Sequence, residues 1–231
     1  MNTLLLRFSA PMQSWGIESN FTVRDSGLEP SKSGVIGLLC AALGWPRTAD
    51  LADLSSLRMG LRVDREGTLQ SDYQIAQNVL AADGKGEKVS IPSTRYYLAD
   101  AVFLVGLESE DLPWLEQLDH ALLHPVWTLY LGRKAFVPSA PVGLSGRGLR
   151  RGEALEVALR GFPWLVSWPR EKAPAKVRLV VEDLAGEQYR NDVPVSFARR
   201  EFIPRRVHTC MIAAPHEYLE EVENVPVETG A

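Results

Sequence analysis

The sequence predicts an α+β fold rich in strands, and three observations carry that prediction. Strand-length apolar stretches, continuous or alternating, recur through the first hundred residues. Two apolar segments of helical length interrupt them. Beyond residue 146 short runs are separated by Pro and Gly rather than by periodic helices, which reads as a β-rich C-terminal extension.

Thr3 to Ser9 gathers Leu4, Leu5, Leu6 and Phe8 and is closed by Ala10-Pro11, so it reads as a buried first strand. Val35 to Leu43 is an apolar helix, with Ser31 or Ser33 able to cap it and Gly44 and Pro46 to end it. Leu57 to Asp64 alternates Leu57, Met59, Leu61 and Val63 with Arg58, Gly60, Arg62 and Asp64, the period of a strand with one wet face. Tyr73 to Val79 and Val89 to Tyr97 flank Ala81 to Lys88, where Asp83-Gly84 and Gly86 favour a turn. Together they predict a projecting hairpin over residues 73–97.

Asp100 to Leu107 is a strongly apolar strand. Leu112, Leu115, Leu118, Leu122 and Leu123 recur at helical spacing, with Pro113 in the first turn. Val126 to Leu131 is a further strand candidate, and strand, helix, strand, strand, helix, strand describes a ferredoxin-like unit over the first 131 residues. Pro138, Pro141, Gly143, Gly146 and Gly148 then mark a long irregular loop. Leu155 to Leu159, Val177 to Glu182 and Glu201 to Ala213 complete the series as short strands. The expected organisation is one domain over 1–145, carrying the hairpin, and the extension over 146–231.

With 45% hydrophobic and 23% charged residues in 231, the chain is of ordinary globular composition and can bury one substantial core. No apolar run reaches the roughly 18 residues of a membrane span, and the start lacks a basic leader with a cleavage site, so a cytoplasmic location is expected. Cys40 and Cys210 are far apart and belong to no CxxC, which supports neither a disulfide framework nor a cysteine zinc site.

The net charge of −4 hides an uneven distribution. From Arg133 to Arg206 there are 15 Lys and Arg against 8 Asp and Glu, and the remainder holds 10 against 21. The basic surface is regional, while Glu217, Glu220, Glu221, Glu223 and Glu228 make an acidic end.

Four constellations carry candidate chemistry. Pro11 to Gly16 offers the Trp15 indole for stacking beside the Gln13 amide, or a tryptophan that caps the core. Ser31-Lys32-Ser33-Gly34 opens the first helix, where hydroxyls, an ammonium and free N–H groups can meet a phosphate; the simpler reading is helix capping. Leu131-Gly132-Arg133-Lys134, followed by Arg147, Arg150 and Arg151 in a Gly-rich segment, suits RNA backbone contact or a solvated loop. Arg199, Arg200, Arg205 and Arg206 flank a short strand and read either as contacts or as a charged edge.

Nucleotide hydrolysis and acyl transfer lack their motifs: neither GxxxxGK[ST] nor GxSxG is present. His120, His124, His208 and His216 form no metal signature, and no cofactor is expected.

Taken together, Arg7 through Gly16 (RFSAPMQSWG), Pro30 through Gly37 (PSKSGVIG), Thr94 through Asp100 (TRYYLAD), Tyr130 through Arg133 (YLGR) and Phe197 through Phe202 (FARREF) resemble the CasD-type subunits of type I-E CRISPR Cascade, within the repeat-associated mysterious protein superfamily. The resemblance implies an RNA-recognition-type domain with a thumb hairpin and a non-catalytic role holding the 5′ handle of the guide crRNA at one end of the complex. It implies backbone and large subunits as partners, target DNA reached only through the complex, and no membrane. It brings Gln13, Trp15, Ser31, Lys32, Ser33, Gly132 and Arg133 to the RNA, with Lys134 and Arg147 nearby, and matches Arg95 to the arginine near the thumb. Relatives in type I-C systems trim the repeat themselves, so a metal-independent endoribonuclease using Tyr130, Lys134 and His208 is the alternative.

Overall fold

The computed structural model describes residues 1–16, 22–80, 89–166 and 174–219. In chain order the elements are β1 (Asn2–Ser9), β2 (Met12–Gln13), β3 (Val23–Arg24), α1 (Lys32–Leu43), α2 (Ala52–Ser56), β4 (Arg58–Arg65), β5 (Thr68–Val79), β6 (Val89–Ala99), β7 (Val102–Ser109), α3 (Leu112–Leu123), β8 (Leu149–Arg150), α4 (Leu155–Gly161), β9 (Lys176–Glu182), β10 (Gln188–Ser196) and β11 (Glu201–Ala213). The protein is a strand-rich α+β fold.

Leu4, Leu5 and Leu6 are consecutive and all fully buried, which requires cover on both faces of β1. That cover comes from a seven-stranded sheet, in the order β10-β11-β9-β4-β7-β1-β8, packed between helices. One face meets α1 and α3 in a core that includes Leu4, Leu6, Phe8, Leu61, Val105 and Val207. The other meets α4 and residues 162–166 in a core that includes Leu5, Leu104, Leu179 and Val181. β9 pairs with β4, so the strands after residue 174 continue the same sheet.

The predicted strand over Leu155 to Leu159 is instead the helix α4. Its Leu155, Ala158 and Leu159 are buried at spacings of three and four, one helix face rather than alternate strand positions. Gly60 and Gly106, partners across β4 and β7, open the groove that receives it. A Cβ at Gly106 would stand 2.6 Å from Leu155 Cδ1, and one at Gly60 3.0 Å from Leu159 Cδ1.

Because α4 covers that face, the alternation read in β4 has no wet side: Arg62 and Asp64 are buried. Arg62 forms an ion pair with Asp64 at 2.6 Å and donates to the carbonyls of Leu159, Phe162 and Pro163. A buried charge is stable only when fully partnered, and this guanidinium is held by a carboxylate and three carbonyls.

Val126 to Leu131 is not a strand either. The N–H groups of Val126 and Trp127 donate to the Ala42 and Ala41 carbonyls at the end of α1, so the segment caps the helix instead of joining a ladder. The two predicted helices match α1 and α3. Ser31 caps α1 by accepting from the Gly34 N–H at 3.2 Å, and Gly44 ends it in the left-handed conformation. β10, rich in polar residues, carried no alternation and was not anticipated.

β5 and β6 pair over most of their length and leave β5 exposed almost throughout, as a projecting hairpin requires. Its predicted turn, Ala81 to Lys88, lies outside the described residues. At the hairpin base β6 takes β2 antiparallel and β3 parallel as short partners.

Candidate nucleic-acid interface

Four separate segments close on one cleft of about 300 Å³. Ser14, Trp15 and Gly16 come from the turn after β2; Ser31, Ser33 and Gly34 from the start of α1; Gly132 and Arg133 from the loop beyond α3; Phe197 from the β10–β11 turn and Phe202 from the start of β11. Arg24 and Asp25 complete the lining from β3. Gly132 makes the closure possible: its φ is +93°, and a Cβ there would fall 1.7 Å from the Ser14 carbonyl oxygen. Backbone contact between these loops continues in the Ser14 N–H, which donates to Leu131 O at 3.1 Å.

Arg133 is the charged centre of this cleft. Its Nη2 donates to the carbonyls of Tyr96 at 2.8 Å and Arg24 at 3.2 Å, and its guanidinium lies 5.5 Å from the Phe136 ring centroid. Carbonyl oxygens orient a guanidinium without neutralising it. Arg24 and Arg95 are register partners on β3 and β6, which brings a second and third guanidinium beside the first. Burial, then Arg95 and Arg24, hold the Arg133 pKa below its ordinary value, with Asp72 and Asp25 offsetting part of the effect. Three cations crowded in this way favour a polyanionic ligand, since each phosphate relieves repulsion among them.

Other predicted residues stand elsewhere. Gln13 is fully buried, its amide donating to Ala101 O at 2.6 Å, so it ties β2 to the β6–β7 connection from within rather than facing a ligand. Trp15 is 1% exposed and stacks on Phe8 at 5.4 Å; the indole floors the cleft and has no open face for a base. Lys32 is 1% exposed, its ammonium bonded to Glu182 at 2.9 Å and its backbone N–H to Asp192 at 2.7 Å. The Lys32 and Gly34 N–H groups at the start of α1 are thus taken by Asp192 and the Ser31 hydroxyl, and Lys32 does not reach the cleft. Lys134 is exposed beside Arg133, whereas Arg147 is exposed near β8 and does not line the cleft.

The basic count between Arg133 and Arg206 overstates the free charge. Arg150 is paired with Glu153, Arg151 with Glu116, Arg178 with Glu29 and Glu66, Arg190 with Glu29, Arg199 with Glu201 and Arg205 with Asp192. Arg206 lies over the Tyr189 ring instead. Of the three clustered arginines, Arg24 and Arg95 come from outside that region, and Arg95 stands beside the cleft without lining it. Nothing local in the sequence marks Arg24; it reaches the cleft through a two-residue strand. Phe197 and Phe202 lie within a recognised segment, yet only the sheet register brings them to the wall.

Tyr130, Lys134 and His208 are not assembled. His208 is paired with Val181, which belongs to the α4-side core, and so projects on the face opposite α1. It stands six residues along β11 from Phe202, roughly 20 Å at strand rise. Among the described residues no group of three or more His, Cys, Asp or Glu is arranged to hold a metal ion, and no helix is long and apolar enough to cross a membrane.

Comparison with known proteins agrees with this architecture. Residues 3–208 match the family model described as CRISPR-associated protein (Cas_Cas5). The chain is 34% identical over 163 residues to the CRISPR system Cascade subunit CasD of Escherichia coli (strain K12), covering 61% of this chain and 69% of that one. A solved structure described as a CRISPR RNA-guided surveillance complex contains a chain that superposes with a TM-score of 0.78 at 34% identity, over 93% of this chain and 91% of that one. Another, described as the crystal structure of a Cas protein, gives a TM-score of 0.74 at 41% identity, over 92% and 97%. A family match spanning nearly the whole chain, joined to the fold likeness, makes this protein a member of the CRISPR-associated Cas_Cas5 family.

Proposed function

We propose that the chain is a subunit of a CRISPR RNA-guided complex, of the Cascade type, and that it holds the 5′ handle of the guide RNA in the cleft around Arg133 without cleaving it. One observation carries this reading. The segments 7–16, 30–37, 94–100, 130–133 and 197–202, scattered across the sequence, come together around a cleft lined by Arg24, Arg133, Phe197 and Phe202, with Arg95 beside Arg24 and the Tyr96 carbonyl holding Arg133. Guanidinium groups suit the phosphates of a single strand, and aromatic rings suit its unpaired bases.

The strand order β8-β1-β7-β4, with α1 and α3 on one face, fits a ferredoxin-like unit whose last strand has shrunk to two residues. The hairpin suits a thumb with two different sides. Leu69, Tyr73, Ile75 and Tyr96 project from one side and Gln70, Asp72, Gln74 and Arg95 from the other. In this reading the polar side borders the RNA and the apolar side docks on a neighbouring protein subunit, so that the chain closes one end of the assembly. Target DNA is met only through the complex.

The test is RNA binding by the purified chain as a function of salt. Arg133→Ala is expected to weaken binding to a labelled RNA carrying the CRISPR repeat and to lower the slope of log K against log salt by about one. Unchanged affinity and slope would remove Arg133 from the interface. Incubation of the same RNA with the protein in chelator is expected to return it intact; fragments that disappear with His208→Ala would establish a nuclease instead.

A further inference from the structure

The proposed RNA cleft has one wall that belongs to none of the loops around Arg133: Phe197, on the turn between β10 and β11, and Phe202, at the start of β11. Phe202 remains 39% exposed. Three bonds tie this hairpin to α1, α2 and the segment between them, and their partners there, Lys32, Ser55 and Arg47, lie outside the cleft lining. Arg47, exposed just beyond α1, donates through Nη2 to Phe197 O at 3.0 Å. Ser55 of α2 donates to Pro194 O at 2.7 Å. Asp192 accepts the Lys32 N–H at 2.7 Å and is itself gripped by Arg205 through Nε at 2.7 Å and Nη2 at 3.0 Å. The Phe197 ring meets α1 directly, within 3.7 Å of where a Cβ would stand on Gly37.

β10 is the edge of the sheet, and its pairing with β11 is interrupted between Arg190 and Val193 and again between Pro194 and Ser196. An edge hairpin with two register shifts next to its turn is weakly held by its own ladder. The side-chain bonds to α1 and α2 therefore decide where the turn sits. Buried Lys32, Asp192 and Arg205, joined by half-buried Glu182, fix its base, and Arg47 fixes its tip.

We propose that Phe202, which shares the cleft wall with Phe197, is the stacking surface for an unpaired base of the bound RNA, and that Arg47 and Asp192 are positioning residues that hold its hairpin over the cleft. This rests on the reading of the Arg133 cleft as an RNA site and adds a base subsite to its phosphate subsite. Trp15, which the sequence offers as the stacking residue, is covered by Phe8; the base instead meets a phenylalanine brought in by the C-terminal strands.

A double-mutant cycle on the full-length chain tests this, using a repeat-sequence RNA with 2-aminopurine substituted at successive positions and affinity measured across a salt series. Phe202→Ala is expected to weaken binding about five- to hundredfold, the range of one base–aromatic stack. The same substitution should restore the fluorescence of one 2-aminopurine position. Arg47→Ala, a surface change that leaves the core intact, should weaken binding in the same sense with the salt slope unchanged. The double variant should lose no more than Phe202→Ala alone, because Arg47 acts through the ring.

A salt slope lowered by about one in Arg47→Ala would make Arg47 a phosphate contact and overturn its positioning role. Additive losses would overturn the coupling, and Phe202→Ala binding like the unaltered protein would overturn the stacking surface. Asp192→Asn risks the fold, so it is paired with Lys32→Met: both are read by the 2-aminopurine fluorescence per bound RNA, which rises toward its unstacked level in Asp192→Asn only if Asp192 sets the ring. If the unaltered chain and Arg133→Ala bind equally poorly, the cleft is not an RNA site and both readings fall; additive losses with Arg133→Ala still weakened remove this one alone.

Discussion

What distinguishes Arg133 from most arginines of the C-terminal half is its partners. Arg150, Arg178, Arg199 and Arg205 each meet a carboxylate, and their charge is spent inside the protein. Arg133 meets two carbonyl oxygens, which aim it and leave its charge to attract a ligand. Cys40 illustrates the opposite treatment of an ionisable group. Burial on α1 pushes its thiol up to about 11 from 9.0. The folded state thus binds the proton more tightly than the unfolded chain, so the stabilisation is complete below pH 9 and is lost as pH rises through 11. Cys40→Val is expected to flatten the fall in unfolding free energy over that window by about 2 kcal/mol, measured by denaturant titration at each pH. At pH 8 intact-mass analysis should find Cys40 unreacted with iodoacetamide in the native protein and alkylated in denaturant.

At the scale of elements, two predictions separate a helix held by its cap from a hairpin held by little. Ser31 meets the Gly34 N–H at the start of α1, and Ser31→Ala is expected to cost about 1 kcal/mol in chemical denaturation. A loss below a few tenths would mean that the Asp192 contact alone sustains the helix start. β5 and β6 pair mainly with each other, and β5 is exposed along nearly all of its twelve residues. Two-stranded ribbons have little independent stability. Hydrogen exchange should therefore find the amides of Tyr73 to Val79 far less protected than those of β1 and β7; equal protection would sink that account.

Across the whole molecule, one sheet joins the first strand to the last. β9 lies against β4, and Leu179 and Val181 share a core with Leu5 and Leu104 of the N-terminal strands. A fragment ending at residue 145 would expose that core and remove α4 from the groove at Gly60 and Gly106. Such a fragment is expected to be aggregated or to lack a cooperative thermal transition by circular dichroism, whereas the full chain melts in one step. A folded, monomeric fragment would mean that the sheet face facing α4 tolerates water.

The sequence by itself determined the α+β class, the helices α1 and α3 with a serine to open the first and a proline in the first turn of the second, the strand at β4 and the projecting hairpin, because periodicity, capping and turn chemistry act over a few residues. It also carried the family, through segments whose residue types survive as a recognisable pattern. Only the tertiary structure decided that Leu155 to Gly161 is a helix, since two glycines on neighbouring strands make its groove. It alone drew Gln13, Trp15 and Lys32 into the interior and carried Arg24, Phe197 and Phe202 to the cleft. Burial and ion pairing depend on what lies across the sheet, and those neighbours stand as many as 160 residues apart in the chain, as Lys32 and Asp192 do.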